Sequence, residues 1–170
     1  MPPPLTIQDA LHSALAAEYK ARAACRAVLN AFGLILPFAT IIRSEQRHID
    51  TLLALLSERG LPALADPHAA GLSAASTVEA ACRHAMLIEE ELSALYDQLT
   101  SVVSDDAELA WVFRSLRRAC FDCHIPLFRR HLSAVDPSAS AAWECRGEKL
   151  RGLANAKCCF LDKFPEPEHV

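Results

Sequence analysis

The sequence predicts an all-α fold, an antiparallel four-helix bundle with a short extra C-terminal helix, and three observations carry that prediction. Ala and Leu abound while aromatic residues make up only 6% and β-branched residues are few, a balance that favours helix over strand. Apolar residues recur at helical spacing through four long segments. Between those segments stand the Gly, Pro, Ser and Asp residues that stop and start helices. With 170 residues, 52% of them hydrophobic, the chain can bury the core of one domain, expected over 6–135 with 136–170 as an extension.

The first helix is expected from Thr6 to Phe32, with Leu11, Leu15, Glu18, Cys25 and Leu29 on its inward stripe. Gly33 and Pro37 bracket the break that follows, since glycine suits a helix C-terminus and proline a helix start. The second helix, Pro37 to Gly60, places Ile41, Glu45, His48, Leu52 and Leu55 on one stripe and turns Arg43, Arg47, Asp50 and Glu58 away. Pro62, Pro67 and Gly71 make Leu61–Ser73 a loop that crosses to a second hairpin. Ser76 with Glu79 reads as a capping box for a third helix running to about Val103, whose stripe is Val78, Cys82, Ala85, Glu89, Leu92, Tyr96 and Leu99.

Ser104, Asp105 and Asp106 mark a turn and a new helix start, after which Leu109, Phe113, Leu116, Cys120, His124 and Leu127 continue at helical spacing. Pro126 has no amide hydrogen and its ring clashes with the carbonyl of Asp122, so this helix should kink or open beside His124. Asp136, Pro137 and Ser138 end it; a short helix within Ala139–Lys157 and a disordered tail FPEPEHV are expected beyond.

A net charge of -4 and the lack of a dense Lys/Arg tract leave no footprint for nucleic acid or an anionic membrane surface. No stretch approaches the roughly 18 uninterrupted apolar residues of a membrane span, and MPPPLTIQDA lacks the features of a secretory signal. A cytoplasmic protein is expected, with its seven cysteines mostly reduced. The sequence allows a homodimer without specifying one.

The chemistry lies in polar residues that interrupt the apolar stripes. Burying a lone carboxylate costs several kcal/mol unless it is paired or bound to a metal, so Glu45 and His48 facing the core call for a partner, and a metal ion is the obvious one. Glu18, Glu89 and His124 interrupt the other three stripes. Glu18 lies about 16 residues before the first turn and Glu45–His48 about 11 to 14 after it, while Glu89 lies about 16 before the second turn and His124 about 18 after it. At about 1.5 Å per residue these positions can meet at one level of a bundle. Blander readings stand beside this one: an internal Glu45–His48 hydrogen bond, a surface ion pair of Glu18 with Arg22, or a solvated acidic run of Glu89 with Glu90 and Glu91. His12, His68, His84 and His131 receive no role.

The wording AAEYKARAACRAVLNAFG, PFATIIRSEQRHIDTLLALL and HIPLFRR, with Glu18, then Glu45 and His48, then Glu89 in order, resembles a prokaryotic branch of the ferritin-like superfamily over roughly Thr6 to Leu132. That superfamily holds a di-iron or di-manganese centre with a Glu from each of two helices and Glu-x-x-His from the other two. The resemblance implies metal ligation by Glu18, Glu45, His48, Glu89 and His124, with Glu45 bridging. It also implies iron or manganese, with zinc admissible, and redox chemistry on oxygen, peroxide or ferrous ion. The chain departs on its fourth helix, where Phe121 stands three residues before His124 in place of the family's Glu, and Asp122 should point away. Cys120, one turn before His124, offers a thiolate for a softer ion.

Two rival readings belong to other classes. Cys120-Phe-Asp-Cys123-His124 is a C-x-x-C-H signature of covalent haem attachment and resembles the cytochrome c-prime family, also a four-helix bundle. The other is a structural or interaction bundle without metal.

Overall fold

The computed structural model describes residues 5–135, and among these every regular element is a helix. The elements are α1 (Ile7–Phe32), α2 (Leu36–Glu58), α3 (Val78–Val102), α4 (Ala107–Arg118), a π-helical segment (Ala119–His124) and α5 (Ile125–Val135). The arrangement is compatible with a helical bundle. The C-terminal helix and tail expected over 136–170 lie outside the described residues.

Local chemistry explains most boundaries. Thr6 caps α1 through a capping box with Asp9, and Gly33 closes it at φ 77°, a conformation that costs a residue with a Cβ far more. Pro37 lies in the first turn of α2, where no amide hydrogen is needed. The N-cap of α3 is Thr77, whose hydroxyl accepts from Ala80 N, rather than Ser76; Glu79 instead pairs with Arg83 at 2.7 Å. Asp106 caps α4 by accepting from Leu109 N, and Arg59 at the end of α2 reaches both Asp106 and Glu108 at 3.2 and 2.7 Å.

The expected opening of the fourth helical stretch is present. Before Pro126 the backbone runs as a π turn, in which Ile125 N–H bonds the carbonyl of Cys120 five residues back. One helical path therefore passes through α4, the π segment and α5 with a wider turn at its middle.

α1 packs chiefly on α2 and then on α3, and α3 packs on α4, the π segment and α5. Two apolar clusters form between them. The larger takes Leu11 and Leu15 of α1, Leu52 and Leu56 of α2, Leu92 and Tyr96 of α3, and Phe113 and Leu116 of α4. The smaller takes Cys25 and Val28 of α1, Phe38 and Ile41 of α2, Cys82 and Ala85 of α3, and Phe128 of α5. In chain order, α1 passes from the larger cluster to the smaller, α2 and α3 pass from the smaller to the larger, and the path from α4 to α5 returns. The segment between α2 and α3 therefore carries the chain back to the end where α2 began.

That crossing is pinned along α1. His12 Nε2 contacts Pro62 O at 2.7 Å, Arg22 pairs with Asp66 at 2.7 Å, and Arg26 donates to His68 O at 2.9 Å. No helix among the described residues is long and apolar enough to cross a membrane.

Candidate metal centre

Each helical path carries its buried polar residue near the point where it changes cluster. Glu18, Glu45, His48, Glu89 and His124 are all at most 2% exposed, so the five residues singled out in the sequence meet inside the molecule. They form a connected set. His48 Nδ1 lies 3.0 Å from Glu45 Oε2 and 3.3 Å from Glu18 Oε2, while His124 Nδ1 lies 3.1 Å from Glu89 Oε2 and 3.2 Å from Glu45 Oε1. Glu45 is the member shared by both histidines. The two imidazoles stack with centroids 5.7 Å apart and planes 24° from parallel.

Of the blander readings, the internal Glu45–His48 contact is present at 3.0 Å, whereas the surface ion pair of Glu18 and the solvated run of Glu89 do not describe this geometry. Arg22, four residues after Glu18, turns outward to Gln46 and Asp66. Glu90 and Glu91 are exposed while Glu89 is buried. Several basic side chains find partners elsewhere, Lys20 with Glu91, Arg59 with Asp106 and Glu108, Arg83 with Glu79, and Arg117 with Asp97, while Arg43, Arg47, Arg114, Arg129 and Arg130 are exposed. The charge of three buried carboxyls is met by the imidazoles, by protonation or by a bound cation.

Three further residues complete the set, two of them unassigned by sequence reasoning. Ser44 Oγ lies 3.3 Å from His48 Nε2 and 3.0 Å from His124 Nε2. One hydroxyl oxygen can accept two hydrogen bonds but donate only one, so Ser44 can receive an Nε2–H from both rings together. That tautomer turns both Nδ1 atoms toward the carboxylates, the orienting role that outer partners play for metal-bound histidine. Ser44 directly precedes Glu45 and lies one turn before His48; only that spacing hinted at it. Tyr96, fully buried, donates its hydroxyl to Glu18 Oε1. Its place on the α3 stripe was evident, its partner was not.

The third is Cys120. The expectation that Phe121 fills the inward position before His124 is corrected: Phe121 is 54% exposed, and the Arg117 guanidinium lies over its ring at 5.5 Å. Cys120 and His124, four residues apart, share the inward side as they would in an α turn, while the wider π turn carries Phe121, three before His124, further round to the surface. Cys120 is fully buried, with its sulfur within 4.8 Å of a Glu89 carboxylate oxygen and a His124 ring nitrogen.

Burial and neighbouring charge push the carboxylates apart in acidity. Glu18 is raised from its ordinary 4.5 to about 7, first by burial, with His48 opposing and the Glu45 charge adding. For Glu45 burial again pushes upward, but the charge of His124 and the closeness of both imidazoles outweigh it and hold the carboxyl below its ordinary range. Burial raises the Tyr96 phenol and the Cys120 thiol, and the adjoining carboxylates raise both further.

Two groups offer three ligand atoms within 4.8 Å of one another: Glu18, Glu45 and His48, and Glu89, Cys120 and His124. The fit to a cation can be judged from one atom. Glu45 Oε1, buried between the groups, accepts no hydrogen bond although His124 Nδ1 is 3.2 Å away. The two facts agree if the contact is charge attraction without directional bonding, and a buried carboxylate oxygen left so costs about 1–3 kcal/mol. A cation seated there would satisfy it. The buried Glu, His and Cys groups can therefore hold a metal ion. No protein-family model, curated protein or solved structure matches the chain.

Proposed function

We propose that this chain is a metal-binding bundle of the ferritin-like type, an antiparallel four-helix bundle built around a non-haem carboxylate centre. The observation that carries the reading is the undersatisfied, fully buried oxygen of Glu45, flanked by two groups of three ligand atoms. The chain path supports it. A single long crossing between α2 and α3, with the other connections short, is the connection pattern of ferritin-like bundles. Glu18, Glu45 and His48 would hold one ion and Glu89 and His124 would hold a second, with Glu45 between them. Carboxylate oxygen and imidazole nitrogen suit iron or manganese, and zinc also accepts them.

When bound, an iron or manganese pair would supply redox chemistry, passing electrons to oxygen or peroxide, with ferrous ion as the electron donor where it is the substrate. The chain's own residues do the rest. Ser44 holds both imidazoles with Nδ1 inward, Tyr96 holds Glu18, and the two apolar clusters keep bulk water from the carboxylates. Glu18, raised to about 7 in the metal-free centre, would give up its proton as a cation binds. A haem attached at Cys120 and Cys123 fits less well, since Cys120 is fully buried and His124 already meets Glu89, Glu45 and Ser44 through its two ring nitrogens.

Elemental analysis and a visible spectrum of protein purified without added metal test the proposal. Iron or manganese should be present and should be lost in Glu45→Ala. A Soret band, or unchanged metal content in that variant, would overturn it.

A further inference from the structure

We propose that Cys120 is a metal ligand, and that the Glu89–Cys120–His124 group forms a thiolate-containing position that takes a thiophilic divalent cation such as zinc. The centre would then be chemically unequal, with an oxygen- and nitrogen-ligated ion at Glu18, Glu45 and His48 and a sulfur-ligated ion beside it. This inference rests on the metal-binding reading above.

Four observations converge on it. The three ligand atoms of the group lie within 4.8 Å of one another and belong to two different elements, α3 and the π segment. All three residues are at most 2% exposed, so little water is available to complete or compete for the position. Cys120 and His124 share the inward side of the π segment, while its wider turn carries Phe121 round to the surface. Two of the three ligands, Glu89 and His124, already stand 3.1 Å apart although they come from different elements.

The other buried cysteines provide the contrast. Cys120 belongs to the larger apolar cluster and also to a three-residue group, whereas Cys25 and Cys82 sit in the smaller apolar cluster and belong to neither group. A cysteine buried there behaves as a small hydrophobe. Cys120 instead shares a carboxylate and an imidazole with the centre, a donor set that suits tetrahedral zinc with one place left over for Glu45 or water. Coordination removes the thiol proton, so the bound residue contributes S⁻ and the proton leaves to solvent.

Cobalt(II) is the probe, because a thiolate bound to it gives a near-ultraviolet charge-transfer band that carboxylate and imidazole do not. Chelator-treated full-length protein is titrated with cobalt(II) and then with zinc(II). The expected result is two binding steps, one of which carries the band, with zinc abolishing the band after one equivalent. Cys120→Ser should lose the band and weaken that step at least about 100-fold, the upper range for outer partners, since a direct ligand matters more. Cys82→Ala should keep the band, and Glu18→Gln should lose the other step while keeping it. Cobalt binding by the parent protein without the band, or a band that survives in Cys120→Ser, refutes the thiolate ligand and leaves metal binding intact. No cobalt binding at all refutes both. The parent titration decides the matter even if a variant fails to fold.

Discussion

Replacing Glu18 by Gln in metal-free protein should stabilise it, and the gain should depend on pH in a defined sense. Glu18 is fully buried, with its folded-state pKa near 7 against an ordinary 4.5. Below 4.5 the carboxyl is protonated whether the chain is folded or not, and it costs the fold nothing. Between 4.5 and 7 the unfolded chain ionises while the folded one does not, so stability is lost as pH rises through this window and stays lost above it. The gap is 7 − 4.5 = 2.5, and at about 1.36 kcal/mol per unit the deficit is about 3 kcal/mol. Gln keeps the shape and can still accept from Tyr96, but it does not titrate. Urea denaturation of both chelator-treated proteins between about pH 5 and 8 should show curves that meet at the acid end and diverge toward the alkaline one. In thermal melts the separation at the alkaline end should reach roughly 10 °C. Metal at about 100 times its dissociation constant adds about 2.7 kcal/mol to whichever protein binds it, which should erase most of the variant's advantage. Parallel curves across the range would refute the reasoning, because they would mean that Glu18 is ionised in the folded chain without penalty.

Three other outcomes follow from named contacts. Ser44→Ala removes the oxygen shared by His48 and His124 and should weaken metal binding by about 10- to 100-fold in a competition assay with a chelator; an unchanged affinity would show that the imidazoles are oriented by something else. Tyr96→Phe leaves Glu18 Oε1 without its donor and should cost the metal-free fold about 1–3 kcal/mol in urea denaturation, whereas a neutral effect would mean that this bond is not formed in solution. Phe121→Glu should change stability by no more than about 0.5 kcal/mol and leave metal content as it was, because the side chain points to solvent; increased metal content would place it inside after all.

The helices were legible because their apolar rhythm is long and unbroken: Ile41, Glu45, His48, Leu52 and Leu55 all proved buried, and Arg43, Arg47, Asp50 and Glu58 exposed. The cap of α3 was not, since Ser76 and Thr77 are both good caps and only the backbone decides which hydroxyl meets an amide. On the fourth path Cys120 and His124 were read as inward and are buried, whereas Phe121 was misread for a geometric reason. A wheel of constant pitch assumes that every turn is α, and Pro126 signalled an opening without saying how far it would rotate the residues before it. Ser44 and Tyr96 escaped because a hydroxyl beside an apolar stripe has many ordinary uses. Their partners come from other helices, Ser44 to His124 across 80 residues and Tyr96 to Glu18 across 78, and local spacing holds no record of such pairs.

The position of the polar set explains why its cost is tolerated. It lies where every helical path passes between the larger and smaller apolar clusters, so no path can leave the set without also leaving a cluster. Glu45 and His48 are followed within α2 by Ile49 and Leu52 and preceded by Ile41 and Phe38, each at most 1% exposed. Full burial of such side chains stabilises by about 1.5–3 kcal/mol each, so these four neighbours alone offset the few kcal/mol that the carboxylates cost. The apolar layers therefore hold the ligands in place before any cation arrives. The two ligand groups together draw on α1, α2, α3 and the π segment, so cations seated in both would add their binding energy to the folding of the whole bundle rather than to one loop.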